Sequence, residues 1–379
     1  MLARYLPPAG STTHIYTLSS GLVERGHEVV VGSAGHDGSR GAIVIYEQSV
    51  SDGIRHVRFP FPLTPDFGRL GRLKQGLSYL VTAPLSLYRI ARIRPDVIHV
   101  HYPVTSYLAA VYRLLTGTRF ISTHHASDIP KHPLHRRADI AVAISQKLRD
   151  ELIRDYGYEP ACVRLIHHGI SPARFGNLKD TGRAAALEAV GLSHARDKTV
   201  IGYLGAIAQH KGLDILLRAV AGLDASRLHL VIVGDGESAW LRALVSEYGC
   251  EESVSLFGFS RPEPFYAAID VFVLPSRKEA FGLAAAEAMM SGALTVRSDG
   301  GGASDQIDDG VTGFVFENGN ADQLRTILDK LIRDPSTAAA IAARGQEFAL
   351  KDFGADQMLD RIESEYEILV ENRGKRRPA

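Results

Sequence analysis

Two glutamates stand eight residues apart in PSRKEAFGLAAAEAMMSGA (275–293), with only apolar residues and one glycine between them: Glu279 and Glu287. Ala, Leu and Met favour a helix over 281–290, and Gly292 suits its C-terminal end. A carboxylate in such a run is costly to bury alone, so it faces water or accepts hydrogen bonds from something specific. The free N–H groups and positive dipole end near Phe281 offer an anion a site, a phosphate above all. Eight residues correspond to roughly 12 Å of helix rise. A nucleotide sugar lying across the helix start would meet one carboxylate with its sugar hydroxyls and the other with its ribose. From spacing alone, Glu287 is as readily a solvated residue on one helix face.

Other motifs carry less. YLGAIAQHKG (203–212) ends in Lys211-Gly212 after a strand but departs from the P-loop pattern, with His210 where the second glycine belongs and Gly212 where a Ser or Thr would hold magnesium. A lone lysine at such a turn still serves a phosphate as a point charge, or is simply solvated. VGDGES (233–238) supplies Gly234 and Gly236 without the third glycine of a dinucleotide fingerprint. VGSAGHDG (31–38) runs into a strand-like segment, which suits a flexible loop. In THHASD (123–128), His124 and His125 point to opposite faces of a strand, so one of them can face a cleft. HVH (99–101) puts two imidazoles on one face, but the neighbouring sequence supplies no third ligand, and no metal site is expected.

The elements that must position these residues alternate. HEVVVG (27–32), DVIHVH (96–101), RFISTH (119–124) and DIAVAIS (139–145) read as strands between amphipathic segments. After a polar, Ala-rich passage at 171–198 the rhythm restarts with TVIGYLG (199–205), LHLVIVGDG (228–236), SVSLFG (253–258), DVFVLPS (270–276) and ALTVRS (293–298). The pattern predicts an α/β protein of two doubly wound domains, 1–178 and 185–352. A helix over 355–371 packs back on the first domain, and 372–379 forms a basic tail. Ligands of such sheets bind beyond the carboxyl ends of the strands. Only MLARYL precedes PPAGS, so the first strand is short or the true start lies upstream.

Length and composition agree: 379 residues, 45% hydrophobic and with 43 basic against 43 acidic side chains, give two ordinary globular domains and no global pull towards nucleic acid. Cys162 and Cys250 lie far apart without metal-type spacing, which makes a reducing, cytoplasmic setting the default.

Taken together, the residues resemble the retaining glycosyltransferases of family 4, whose GT-B arrangement sets two Rossmann-like domains facing a central cleft. The most specific element is the E-x7-E motif at Glu279 and Glu287; GLVERGHEV (21–29), RPDVIHVH (94–101), HASD (125–128), HKG (210–212), VGDG (233–236) and DGVTGFVF (309–316) surround it. The resemblance implies catalytic roles for Glu279 on the transferred hexose, His125 beside that sugar on the acceptor-side domain and Lys211 at the diphosphate. It gives donor binding to Glu287 at the ribose, to the backbone of Phe281, Gly282 and Leu283, to Gly234 and Gly236, and to a loop with Gly10 and Ser11. It further implies a nucleoside-diphosphate sugar as donor, a glycan, lipid-linked or small-molecule acceptor, retention at the anomeric carbon, and neither cofactor nor metal. The chain departs from the family at Ala206, where an arginine usually shares the diphosphate charge, and Arg277 or Lys278 is the expected substitute. Asp305 and the HHGIS stretch (167–171) depart as well. The basic stretch 68–95, with Arg69, Arg72, Lys74, Arg89, Arg92 and Arg94 and no acid, reads either as a peripheral contact with anionic lipid at the inner face of the membrane or as a solvated helix face. The competing functions are a nucleotide-sugar epimerase on the same architecture and a non-catalytic nucleotide-sugar-binding remnant.

Overall fold

The structure, a computed structural model, describes residues 10–34, 47–59, 82–102, 105–128 and 133–373. The expected first strand, residues 35–38 of the expected loop, residues 68–81 of the basic stretch and the last six residues of the tail lie outside them. Two compact units divide the chain, Met1–Gly169 with Ala355–Ala379, and Ile170–Gly354.

In the first unit, α1 (Gly10–Glu24) leads into β1 (Val30–Ala34). The hairpin of β2 (Glu47–Ser51) and β3 (Ile54–Phe59) turns on Asp52 and Gly53, both at positive φ. There follow α2 (82–93), β4 (Ile98–Val100), α3 (Ser106–Thr116), β5 (Phe120–His124), β6 (Ile140–Ala143), α4 (Gln146–Arg154) and β7 (Val163–Leu165). Strands β4-β5-β6-β7 form one parallel run, and β1-β3-β2 a second group with β2 antiparallel. β5 and β6 are buried at every position, which explains the unbroken apolar run of β6.

The second unit opens with α5 (Pro172–Phe175) and α6 (Arg183–Ala189) and then alternates regularly: β8 (Thr199–Leu204), α7 (Leu213–Ala221), β9 (Leu228–Val233), α8 (Ser238–Glu247), β10 (Val254–Phe257), α9 (Glu263–Ala268), β11 (Val271–Leu274), α10 (Leu283–Met290), β12 (Leu294–Ser298), β13 (Phe314–Phe316), α11 (Ala321–Arg333) and α12 (Pro335–Asp352). Its sheet is parallel throughout, in the order β10-β9-β8-β11-β12-β13. Chain order reverses between β8 and β11, and a crevice at their carboxyl ends is where such sheets take ligands. The last helix, α13 (Ala355–Glu371), belongs to the first unit. Its Met358, Leu359 and Ile362 share a core with Ile15, Leu18 and Leu22 of α1. A Cβ on Gly21 would lie 2.3 Å from Leu359, so the glycine admits that contact.

The division corrects the expected boundary at residue 178, because 170–178 pack into the second unit. The Phe175 ring meets Tyr266 edge-on at 5.8 Å, and Arg174 pairs with Glu263 at 2.6 Å. Short helices without apolar periodicity gave the sequence nothing to assign them by.

Candidate active site

Lys211 and Glu279 leave the ends of β8 and β11, the two strands on either side of the reversal. Gly212 follows Lys211 in the left-handed region, at φ 71°, and a Cβ there would lie 2.0 Å from the Pro275 carbonyl oxygen. Only glycine lets the two loops approach this closely. The Lys211 Nζ consequently donates to the Glu279 Oε2 at 2.8 Å, with the side chains 21% and 17% exposed, so the pair is screened from water without being sealed off. The Ser276 hydroxyl also reaches Glu279 Oε2, at 3.5 Å.

Helix α10 begins at Leu283, two residues later than the sequence suggested, because Gly282 stands at its N-cap with φ 87°. Phe281 is buried against Phe353 in the turn before it. The helix has no side-chain cap and no acid in its first turn, which leaves its leading N–H groups and dipole to an anion. Only Glu287 lies on this helix and Glu279 sits in the loop before it, so the span of a continuous helix does not apply to the pair.

Glu287 accepts a hydrogen bond from the Tyr266 hydroxyl at 3.0 Å; the same hydroxyl lies 3.1 Å from the Ala284 carbonyl. Burial pushes the Glu287 carboxyl up to about 7, against the opposing pull of Tyr266, and the phenol is held well above its usual range by burial and by Glu287. Spacing alone left Glu287 open to a solvated role; the geometry makes it an inward carboxylate with one neutral partner.

The helix start is fastened by a residue the sequence did not single out. Arg297, on β12 and 1% exposed, donates from Nη1 to the carbonyls of Phe281 at 2.7 Å and Gly302 at 3.3 Å, to the Gln306 side-chain oxygen, and from Nη2 to the Gly301 carbonyl. Gln306 in turn donates to the Gly282 carbonyl at 3.2 Å. Burial brings the guanidinium down to about 10, so it stays charged at neutral pH, aided by Glu279 and Asp305. One buried cation thus ties the loop at 301–302 to the start of α10. A signal was present: an arginine inside ALTVRS, a strand buried at every position, cannot be a surface residue.

Several expectations change here. Arg277, considered as a substitute for the missing arginine at 206, is committed to Asp214 through two bonds of 2.8 and 2.6 Å and to the Gln209 carbonyl at 2.9 Å. Gly234 and Gly236 stand where the backbone passes close, since a Cβ on Gly234 would fall 1.8 Å from the Gly205 oxygen and one on Gly236 2.2 Å from the Ile207 oxygen, which leaves their expected part in donor binding as it was. Gly10 and Ser11 form the first turn of α1 instead of a loop, and the Ser11 hydroxyl lies 3.1 Å from the Tyr102 hydroxyl.

In the first unit, His124 and His125 do point to opposite sides. The His124 ring sits edge-on to Tyr156 at 5.6 Å and to His135 at 5.9 Å. His125 instead joins His101, His14 and His168. The third histidine that the sequence around HVH did not supply therefore arrives from elsewhere in the chain. His125 Nε2 is 3.1 Å from His101 Nδ1, and its Nδ1 is 3.2 Å from His168 Nε2. Burial, with like-charged neighbours adding to it, holds all four well below the usual imidazole range.

Comparison with known proteins accounts for both units. Residues 8–174 match the family model described as Glycosyltransferase Family 4, and residues 189–348 the one described as Glycosyl transferases group 1. An uncharacterised glycosyltransferase of Methanocaldococcus jannaschii is 24% identical over 97% of this chain and 96% of its own length. A D-inositol 3-phosphate glycosyltransferase of Catenulispora acidiphila is 28% identical over 86% of this chain and 82% of its own. The crystal structure of Anabaena HepE in complex with UDP-glucose superposes with a TM-score of 0.77 at 21% identity, covering 97% of this chain and 99% of that one. Two parallel α/β units of GT-B type, matched in chain order by both models, place the chain in the family 4 glycosyltransferases.

Proposed function

We propose that the chain transfers a hexose, with retention at the anomeric carbon, from a nucleoside-diphosphate sugar to an acceptor hydroxyl in glycolipid, cell-envelope or polysaccharide synthesis. The observation that carries this reading is the Lys211–Glu279 pair at the sheet's reversal, beside a helix start that has no cap of its own. Free of ligand, the ammonium and the carboxylate neutralise each other. Donor binding exchanges these partners: Lys211 turns to the diphosphate and Glu279 to the hexose hydroxyls, with Glu287 taking the ribose. The leaving diphosphate gains its charge against Lys211 and the N–H groups of α10, both already in place. Attack on the face the diphosphate leaves accounts for retention without a covalent nucleophile, and no step calls for a metal or cofactor. His125 keeps its assignment to the transferred sugar. The relative crystallised with UDP-glucose supports a nucleotide-sugar donor.

Among the described residues no helix is long and apolar enough to cross a membrane. Arg92, Arg94 and Tyr88 are exposed, which supports a peripheral contact with anionic lipid through the stretch 68–95.

Thermal shift with UDP, GDP, ADP and their hexose conjugates tests the donor, since a ligand that binds only the folded chain raises its Tm. One diphosphate is expected to stabilise the wild type and to lose that effect in Glu287→Ala, and the anomer of the transferred sugar, read by NMR, then decides retention. No shift with any diphosphate overturns the reading.

A further inference from the structure

His14, His101 and His125 each offer one ring nitrogen, and the three nitrogens lie within 4.8 Å of one another. His14 comes from α1, while His101 and His125 follow the ends of the neighbouring strands β4 and β5. Sequence distance hides the cluster, but the parallel pairing that fixes Val100 beside Ser122 builds it. Both nitrogens of His14 and the Nε2 of His101 are buried with no hydrogen-bond partner among the described residues, although these side chains are only 1% exposed. A buried polar nitrogen left without a partner is costly, and a ligand bound by His14 relieves one such cost. His99 backs the group. It stacks on His101 at 4.2 Å, and its own nitrogens are fixed by the Tyr366 hydroxyl at 2.6 Å and the Thr123 hydroxyl at 2.7 Å.

We infer that His14, His101 and His125 form a binding site for a divalent transition cation of the zinc class. An all-imidazole donor set suits zinc, cobalt, nickel or copper, and it excludes magnesium and calcium, which require oxygen ligands. Three histidines leave a fourth position of a tetrahedral site open. Zinc–nitrogen bonds of about 2.0–2.1 Å set ligand nitrogens roughly 3.4 Å apart. His101 Nδ1 and His125 Nε2 are already at 3.1 Å, so the remaining closure falls to His14. His125 is partly exposed, which gives the ion its entry. A bound cation withdraws His125 from the transferred sugar and so slows transfer; this last clause alone rests on the function proposed above.

The test begins with chelator-stripped full-length protein titrated with CoCl2, read by the strong visible absorption of tetrahedral cobalt, and with ZnCl2 against a chromophoric chelator. One ion per chain is expected in the wild type. Binding should weaken about 100-fold or more in His14→Gln and in His101→Gln, while His229→Gln, in the other unit, binds as before. Melting curves identify any variant that fails to fold, and the second variant then carries the test. Binding left unchanged by both cluster variants, or weak octahedral cobalt spectra throughout, overturns the site. With a transfer assay in hand, zinc should inhibit the wild type and not His14→Gln. One-to-one zinc binding without inhibition overturns the competition while leaving the site, and absence of any transfer leaves the cobalt result standing against the failed functional reading.

Discussion

The two units solve opposite problems with ionisable side chains. In the second, Lys211 and Glu279 face each other as an ion pair at 2.8 Å, and Arg297 keeps its charge among four oxygen acceptors. In the first, four histidines within reach of one another give up theirs, since burial and mutual repulsion both disfavour the imidazolium. Glu287 stands between these cases: it lies in the charged unit but has only a phenol for a partner, and its carboxyl rises accordingly. Arg297 keeps its charge where several acceptors face it, and the histidines, lacking them, favour the neutral form.

Breaking the charged pair gives the largest expected effect. Glu279→Ala should lower the rate of hexose transfer by about three orders of magnitude, within the range seen when a group that stabilises a transition state is removed. Binding of the free nucleoside diphosphate should be equal or tighter, because Lys211 loses its competitor. Turnover assays and calorimetry check the two halves separately, and a parallel loss of both would reassign Glu279 to nucleotide binding.

Arg297→Leu removes the donors from the Phe281, Gly301 and Gly302 carbonyls at once. A loss of about 2–4 kcal/mol in stability is expected from buried acceptors left unpaired. Lysine should not rescue it, having no fork to reach several acceptors. Urea denaturation measures the loss, and a near-neutral Arg297→Leu would show that the loop at 301–302 holds without its cation.

Much of this architecture is legible in the residues. LHLVIVGDG yields β9 at Leu228–Val233 and ADQMLDRIESEYEILVE yields α13 at Ala355–Glu371, because β-branched runs and helical apolar spacing report burial directly. Glu279, Glu287 and Lys211 stand out for another reason: Lys211 and Glu279 lie in loops marked by local turn residues, and Glu287 interrupts an apolar helical run. What escaped depends on distant pairing. His14 and His168 reach His125 only through the strand order, and the Arg277–Asp214 pair needs the loops after β8 and β11 side by side. The sequence sets the start of α10 two residues early because a single glycine beside helix formers does not by itself announce the left-handed conformation that Gly282 takes at the N-cap.

Glu287→Ala probes the intermediate case through its ligand. Nucleoside diphosphate binding should weaken by about 1.5–3 kcal/mol, the usual worth of a hydrogen bond to a charged group. Calorimetry on the variant reads this directly, and an unchanged affinity would remove Glu287 from the ribose.

The smallest effect is the one that most directly tests why Glu287 differs from Glu279. With its carboxyl raised from the ordinary 4.5 to about 7, the folded chain binds a proton over this interval that the unfolded chain has released. Its contribution to stability is therefore full below about pH 4.5 and is lost as the pH rises through about 7. Glu287→Gln keeps a partner for Tyr266 and cannot ionise. It should match the wild type at pH 4 and exceed it at pH 8 by about 1–2 kcal/mol, less than the full linkage because the side chain is not wholly sealed from water. Melting curves at the two pH values decide it. Equal differences at both would mean that Glu287 ionises as an ordinary carboxylate, and that the Tyr266 phenol is partner enough for its charge.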